Sequence, residues 1–408
     1  MTAPLPRSVK LLGWTSLFTD AATEAIYPLL PVFLTRVLGA TPMSLGIIEG
    51  AADAVSSLLK LAAGRVSDRT GRRKPLVLLG YAIAGLARPL VALAGTWQQV
   101  FAVRLTDRVG KGLRGAPRDA MLGALAPEDG RGRVFGFHRA MDHTGAIVGP
   151  LAAASFLWFF PGQYRALFAL TIIPGLIAFA LLLLVPEVRA TRDGNREARH
   201  GTTDTPRSAA VGAGTASVPP PLKRFLVVLA IFTLGNSTDA FLLLRLSDAG
   251  LATAYLPLAW AGLHVVKASL STLGGRLSDQ YGRSRLIIAG WIVYAVVYAG
   301  LAISASLVAL LAWFLVYGIH FALVEGSEKA LVADLTPASL QGTAFGWYNT
   351  VLGLGALAAS VLFGALWEGF GPRTAFLTGS GLALAAAAML ATDKKIAEAN
   401  QNLLRPSA

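Results

Sequence analysis

Four long apolar runs, Leu76–Ala94, Ala166–Val185, Leu286–Ser304 and Thr374–Ala391, constrain this chain more than anything else in it. Each is close to the roughly 20 residues a helix needs to cross the hydrocarbon of a bilayer. A soluble protein carries about 25% charged residues, and this chain carries 14%, with 54% hydrophobic. The reading is a polytopic, all-α membrane protein. Its net charge of +13 would suggest nucleic acid in a soluble chain. Here basic loops against anionic lipid head groups account for it. No aromatic-basic binding module is present, so nucleic acid is not an expected partner. With no cysteine, disulfides and thiolate metal sites are excluded. The start, "MTAPLPRSVKLLGW", runs into an apolar helix without a small-residue cleavage site and reads as a retained first span.

Apolar periods set against breakers predict twelve helices, near 9–36, 43–64, 75–95, 98–124, 133–160, 165–186, 222–246, 252–274, 285–305, 307–332, 342–367 and 373–392. Lys and Arg crowd the loops at 65–74, 187–224 and 276–285, while 95–98 and 302–307 have none. The positive-inside rule then places both termini in the cytoplasm of a multi-pass inner-membrane protein. The polar, small, Pro-terminated segment 190–221 reads as a cytoplasmic linker. It divides an N-terminal six-helix bundle (1–189) from a C-terminal one (222–393), which a cytoplasmic tail (394–408) follows.

The halves repeat. "GRVSDRTGRRK" begins at Gly64 and "GRLSDQYGRSR" at Gly275, 211 residues on. "GRVFGF" at Gly132 returns as "GTAFGW" at Gly342, and "TDA" at Thr19 returns at Thr238. Parallel repeats of six helices predict two pseudo-symmetric bundles about an axis along the membrane normal, with a site between them at the midplane.

Charge inside the hydrocarbon costs several kcal/mol and therefore faces protein or a wet cavity. In the fourth helix Arg104, Asp107, Arg108, Lys111, Gly115 and Arg118 form one stripe at about 100° per residue. Asp107 can pair with Arg104 and Lys111 at i−3 and i+4, and Arg114 and Asp119 flank the stripe. The second helix matches it with Glu49, Asp53, Ser56 and Lys60. The first helix has Asp20 and Glu24, then Tyr27. The fifth has His138, Asp142, Gly145 and Gly149, with Arg139 and His143 adjacent. Asp20, Glu24, Glu49, Asp53 and Asp142 are candidates for proton coupling, because burial can bring a carboxyl's protonation into the physiological range. Arg104, Asp107, Arg108, Lys111 and Tyr27 are candidates for substrate binding. In the second half Asp239, His264 and His320 join them, and Lys267, Glu325, Glu328 and Lys329 are further candidates. Lys60 and Arg88 are expected to snorkel. His138 and His143 are five apart, not a metal-binding pair, so no metal and no cofactor are expected.

"GRVSDRTGRRKP" resembles the loop signature of the major facilitator superfamily, with Gly64, Asp68, Gly71, Arg72 and Arg73 in place. "GRLSDQYGRSR" is its weaker copy, with Gly275, Asp279, Gly282 and Arg283. The resemblance covers essentially the whole chain. It implies two rocking bundles with alternating access and a cavity lined by helices one, four, seven and ten. It also implies a cytoplasmic gate built from Asp68, Arg72, Arg73, Asp279 and Arg283. There Asp68 would latch onto Arg114 or Arg118 and meet the N-terminus of helix eleven, where the helix dipole favours a carboxylate. "GAIVGP", with Gly145, Gly149 and Pro150, is similar to the helix-packing motif of proton-coupled exporters in that superfamily. Arg104 matches their helix-four arginine, with Arg108 before Gly112 as the alternative register.

These features predict a monomeric secondary transporter of a small organic solute, coupled to protons or another ion, and read first as an efflux antiporter. The alternative is a carrier of an anionic or zwitterionic metabolite or siderophore, because Arg suits carboxylate and phosphate. A sensor or scaffold is disfavoured, since no soluble signalling domain is attached. An enzyme is not expected: "GKG" at Gly110 lacks the phosphate-loop frame, and no nucleophile elbow or zinc motif is present.

Overall fold

The computed structural model of the protein describes residues 5–126, 131–187, 219–337 and 340–393. Their helices make twelve spans: α1 Arg7–Val37, α2 Pro42–Thr70, α3 Lys74–Leu93, α4 Trp97–Leu125, α5 Arg131–Phe159, α6 Tyr164–Leu183, α7 Pro220–Asp248, α8 Leu256–Tyr281, α9 Arg283–Ile303, α10 Leu307–Asp334, α11 Gln341–Phe370 and α12 Pro372–Thr392. Among the described residues there is no strand. A helix satisfies its backbone within itself, which hydrocarbon demands. Eight spans are long and apolar enough to cross a membrane by length and composition alone. The other four, α2, α4, α5 and α8, carry charge along their length.

Two ends run past their expected positions. α2 continues to Thr70, so most of the "GRVSDRTGRRKP" signature is helix and the loop shrinks to residues 71–73. α8 continues to Tyr281. Helices need not stop where hydrocarbon stops. They end where glycines adopt positive φ, at Gly71 (63°) and Gly282 (94°). α7 begins at Pro220, inside the expected linker, because proline suits a first helical turn whose N–H groups lack acceptors. Residues 190–218, the tail 394–408 and the side chains of Asp68 and Asp279 lie outside the described residues.

Four spans are interrupted. α1 is α-helical to Ile26. It then passes through a tight turn at Tyr27–Leu29, a short α-turn and a wide turn at Phe33–Val37, as Pro28 and Pro31 remove ladder donors. α3 tightens at Arg88–Leu93, and α6 breaks at Thr171. α7 leaves the helix at residues 236–239, between Gly235 and Ala240.

Packing repeats after six spans. α1 packs on α5 and α6, as α7 packs on α11 and α12. α2 and α3 pack on α4, as α8 and α9 pack on α10, and α3 with α6 repeats as α9 with α12. The bundles meet through α2 against α11 and α5 against α8, contacts that the repeat exchanges. Glycines allow this closeness: a Cβ on Gly46 would lie 2.1 Å from the Ser360 carbonyl oxygen, and on Gly149 2.2 Å from that of Ala21. The bundles differ inside. The second has an aromatic core of Phe232, Trp291, Tyr294, Tyr298, Tyr317 and Phe376. The first buries Glu49, Arg88, Arg104, Asp107, Arg108 and Arg114.

Candidate functional site

The α4 stripe begins a chain of alternating charge. Arg104 donates from Nε and Nη2 to the two carboxylate oxygens of Glu49 on α2, at 2.8 and 2.6 Å. Arg88 donates from Nε and Nη2 to Asp107 Oδ1, at 3.1 and 2.8 Å. Arg104 is also 3.8 Å from Asp107, and Arg108 is 3.9 Å from both Glu49 and Asp53. Three guanidinium groups thus face three carboxylates, and their formal charges cancel. Arg88 does not snorkel: it is 4% exposed and donates to the Thr19 carbonyl as well. Asp107 faces α3 from mid-bundle, and a lone buried carboxylate would cost several kcal/mol, so Arg88 is drawn inward. Asp107 pairs with Arg88 and Arg104 and not, among the described ion pairs, with Lys111.

Nearer the face that holds both termini, a second network joins α4, α1 and α5. Arg118 donates from Nη1 to Ser16 Oγ at 3.3 Å, and Ser16 donates to Asp142. His138 Nδ1 is 3.5 Å from Asp142 Oδ2. Asp20 sits beside this network, where Gly145 packs on α1. Pro150 lies within α5 without ending it. Arg114 is not at the rim. It is buried in the α3–α4 contact with its guanidinium 4.4 Å from the Tyr81 ring centre. Arg73 Nη1 donates to the Ala120 carbonyl at 3.0 Å, Arg72 is exposed, and Arg283 pairs with Asp334 at 3.4 Å.

The two bundles share a third cluster, set where α1 and α7 lose regular helix. The Tyr27 hydroxyl is 3.1 Å from that of Thr238, beside the α7 break. Trp260 Nε1 donates to Glu24 Oε2 at 2.8 Å, and its ring centre is 4.9 Å from that of Tyr27. The Arg104 guanidinium is 5.9 Å from the Tyr27 ring centre, which ties this cluster to the first chain. Tyr317 donates to Asp239 Oδ1 at 2.8 Å. Lys267 Nζ is 3.5 Å from Asp239 Oδ2 and 3.5 Å from the Phe321 ring centre. His264 packs edge-on against Trp260, and neither ring nitrogen has a hydrogen-bond partner.

The structure therefore brings Glu24, Tyr27, Glu49, Asp53, Arg104, Arg108, Asp239 and His264 around one inter-bundle region. Asp20 and Asp142 lie in the network nearer the termini. His320 lies elsewhere, in the aromatic core with Nδ1 2.9 Å from the Gly290 carbonyl. Sequence reasoning misses Trp260 and Tyr317, and it places Arg88 at the membrane surface instead of in the ion-pair chain. Trp260 stands 211 residues after Glu49, the offset between the two loop signatures, so the repeat would have found it.

The model of the Major Facilitator Superfamily matches residues 12–266 and 247–406. An uncharacterised MFS-type transporter of Methanocaldococcus jannaschii is 33% identical over 393 residues, covering 95% of this chain and 94% of the relative. Among solved structures, the nucleoside transporter NupG superposes with a TM-score of 0.77 at 13% identity, covering 95% of this chain and 99% of that one. A D-xylose–proton symporter superposes with a TM-score of 0.72 at 18% identity, covering 95% and 96%.

Proposed function

The chain belongs to the major facilitator superfamily and is a secondary transporter rather than an enzyme, and from that premise we propose that it exports a small organic solute in exchange for protons across the cytoplasmic membrane. One observation carries this reading: carboxylates gather where the bundles meet, and one of them is held by a hydrogen bond from the opposite bundle that rocking would break. Glu24 is held by Trp260 of the opposite bundle. Asp53 has a half-exposed side chain and only a long contact to Arg108. A carboxyl whose partner leaves in one conformation changes its proton affinity, which couples protonation to alternating access. The solute contacts would come from Tyr27, Trp260, His264 and Tyr317. The termini are assigned to the cytoplasm on the basic residues that cluster on their face, and the protein is assigned as a monomer.

Purified protein in vesicles, screened with a panel of neutral, cationic and anionic solutes, tests this. Collapse of the proton gradient with a protonophore is expected to abolish accumulation, and Asp53→Asn to reduce gradient-driven transport at least tenfold. Accumulation that survives the protonophore overturns the coupling.

A second reading has its own observation. Lys60 and Lys111 are exposed side chains of α2 and α4 that form no ion pair among the described residues, and Lys60 leans over Gly115. An anionic or zwitterionic solute is the natural partner of such a pair. Under that reading Lys111→Gln lowers transport of anions severalfold and leaves neutral solutes unchanged. An equal loss across the panel removes it.

A further inference from the structure

Glu328 on α10 is the exception among the buried acids of the bundles. The other buried acids among the described residues, Glu49 and Asp107, each have an Arg side chain within 4 Å. Glu328 is 5% exposed and has no such neighbour among the described residues. Its two partners are neutral donors from two other helices. Tyr348 of α11 donates its hydroxyl to Oε2 at 2.9 Å, and Trp291 of α9 donates Nε1 to Oε1 at 3.3 Å. On α10 itself the nearest charges, Glu325 and Lys329, bond each other at 3.2 Å, and Glu325 also holds Arg139 of α5. Lys267 of α8 is held by Asp239.

A buried carboxylate without a cation costs several kcal/mol, and two neutral hydrogen bonds offset only part of that. The group is stable there only when something positive joins it, and a proton needs no further space. Tyr348 also lies two residues from Gly346, which packs on Leu61 of the other bundle. The α11 segment that carries this donor of Glu328 therefore lies on the contact that rearranges as the bundles move.

We propose that Glu328 is a proton-binding site of the transport cycle, protonated in the conformation described and deprotonated when α11 shifts against α10. This rests on the proton-coupled reading above and names a carrier for it within the second bundle. No residue of the central cluster is required to hold the same proton.

The test needs no substrate. Infrared difference spectra of the purified full-length protein between mildly alkaline and mildly acidic buffer report the C=O stretch of protonated carboxyls. The wild type is expected to show a band that Glu328→Gln abolishes and Tyr348→Phe shifts in frequency. Glu328→Met is the second variant; it carries no carboxyl and no amide, so its spectrum decides the assignment if Glu328→Gln folds poorly. A band intact in either variant, or a wild-type spectrum without the band, overturns the proposal. Vesicle transport that ignores the proton gradient would remove the coupling reading but leave a proton assigned spectroscopically to Glu328, so the two failures are distinguishable.

Discussion

At the scale of single residues, the first bundle shows what buried charge requires. Asp107 is 2% exposed and takes its shortest contacts from Arg88. Arg88→Leu leaves that carboxylate with only the longer contact to Arg104, and breaking a buried pair costs about 3–5 kcal/mol. The variant is expected to melt well below the wild type in a thermal scan of the detergent-solubilised protein. Arg88→Leu with Asp107→Leu together should recover much of the loss, since an apolar pair of similar volume replaces a buried ion pair at little cost. A double variant as unstable as the single one would mean that Arg88 stabilises the bundle mainly through Thr19 and packing. The periodicity of α4 placed Asp107 correctly on an inward face, but it could not tell which helix lies opposite. From sequence alone Asp107 therefore finds neighbours only on its own helix, and Arg88 falls at the membrane surface.

At the scale of helices, small residues set how closely spans approach, and close approach decides which side chains meet. α5 lies against α1 with Gly145 and Gly149 over the carbonyls of Leu17 and Ala21. That spacing puts Asp142 within reach of Ser16 and completes the Arg118–Ser16–Asp142–His138 network. Gly149→Val would place side-chain atoms where the α1 backbone runs. Overpacking of this kind costs about 1–3 kcal/mol or more. It is expected to lower the melting temperature and to impair transport more than Gly136→Val on the same helix, where a Cβ meets nothing within 4 Å. Equal effects at the two positions would argue against a contact-specific role. The "GAIVGP" motif was legible in sequence as a packing element. Its partner, the α1 surface bearing Asp20, was not, because a small-residue stripe records closeness without saying to what.

At the scale of the whole molecule, the two bundles touch through few polar bridges, and these define the conformation. At the face opposite the termini, Arg36 of α1 donates to the Ser247 carbonyl of α7 at 2.9 Å. On the terminal side, Arg139 of α5 bonds Glu325 of α10, with side chains 54% and 46% exposed. An exposed pair of this kind contributes about 0–1 kcal/mol, so it biases the equilibrium between conformations by at most about fivefold and cannot lock it. Arg139→Gln and Glu325→Gln are each expected to raise the labelling rate of a cysteine introduced at Leu61, in the α2–α11 contact, by up to that factor. The double variant should do no more than either single one. The native chain contains no cysteine, so the label reports one position. Additive effects would show that the two residues act separately.

The sequence by itself determined the twelve spans, their division into two repeats and the inward faces of α2 and α4. Each follows from a local rule: the thickness of hydrocarbon, the period of the helix, and the cost of charge in lipid. Only the tertiary structure decided that Arg88 pairs with Asp107, that His320 belongs to an aromatic core, that Trp260 reaches Glu24 across the bundle interface, and that Glu328 meets neutral donors alone. Those pairings depend on the rotation and closeness of helices distant in sequence. Period and composition are properties of one helix at a time.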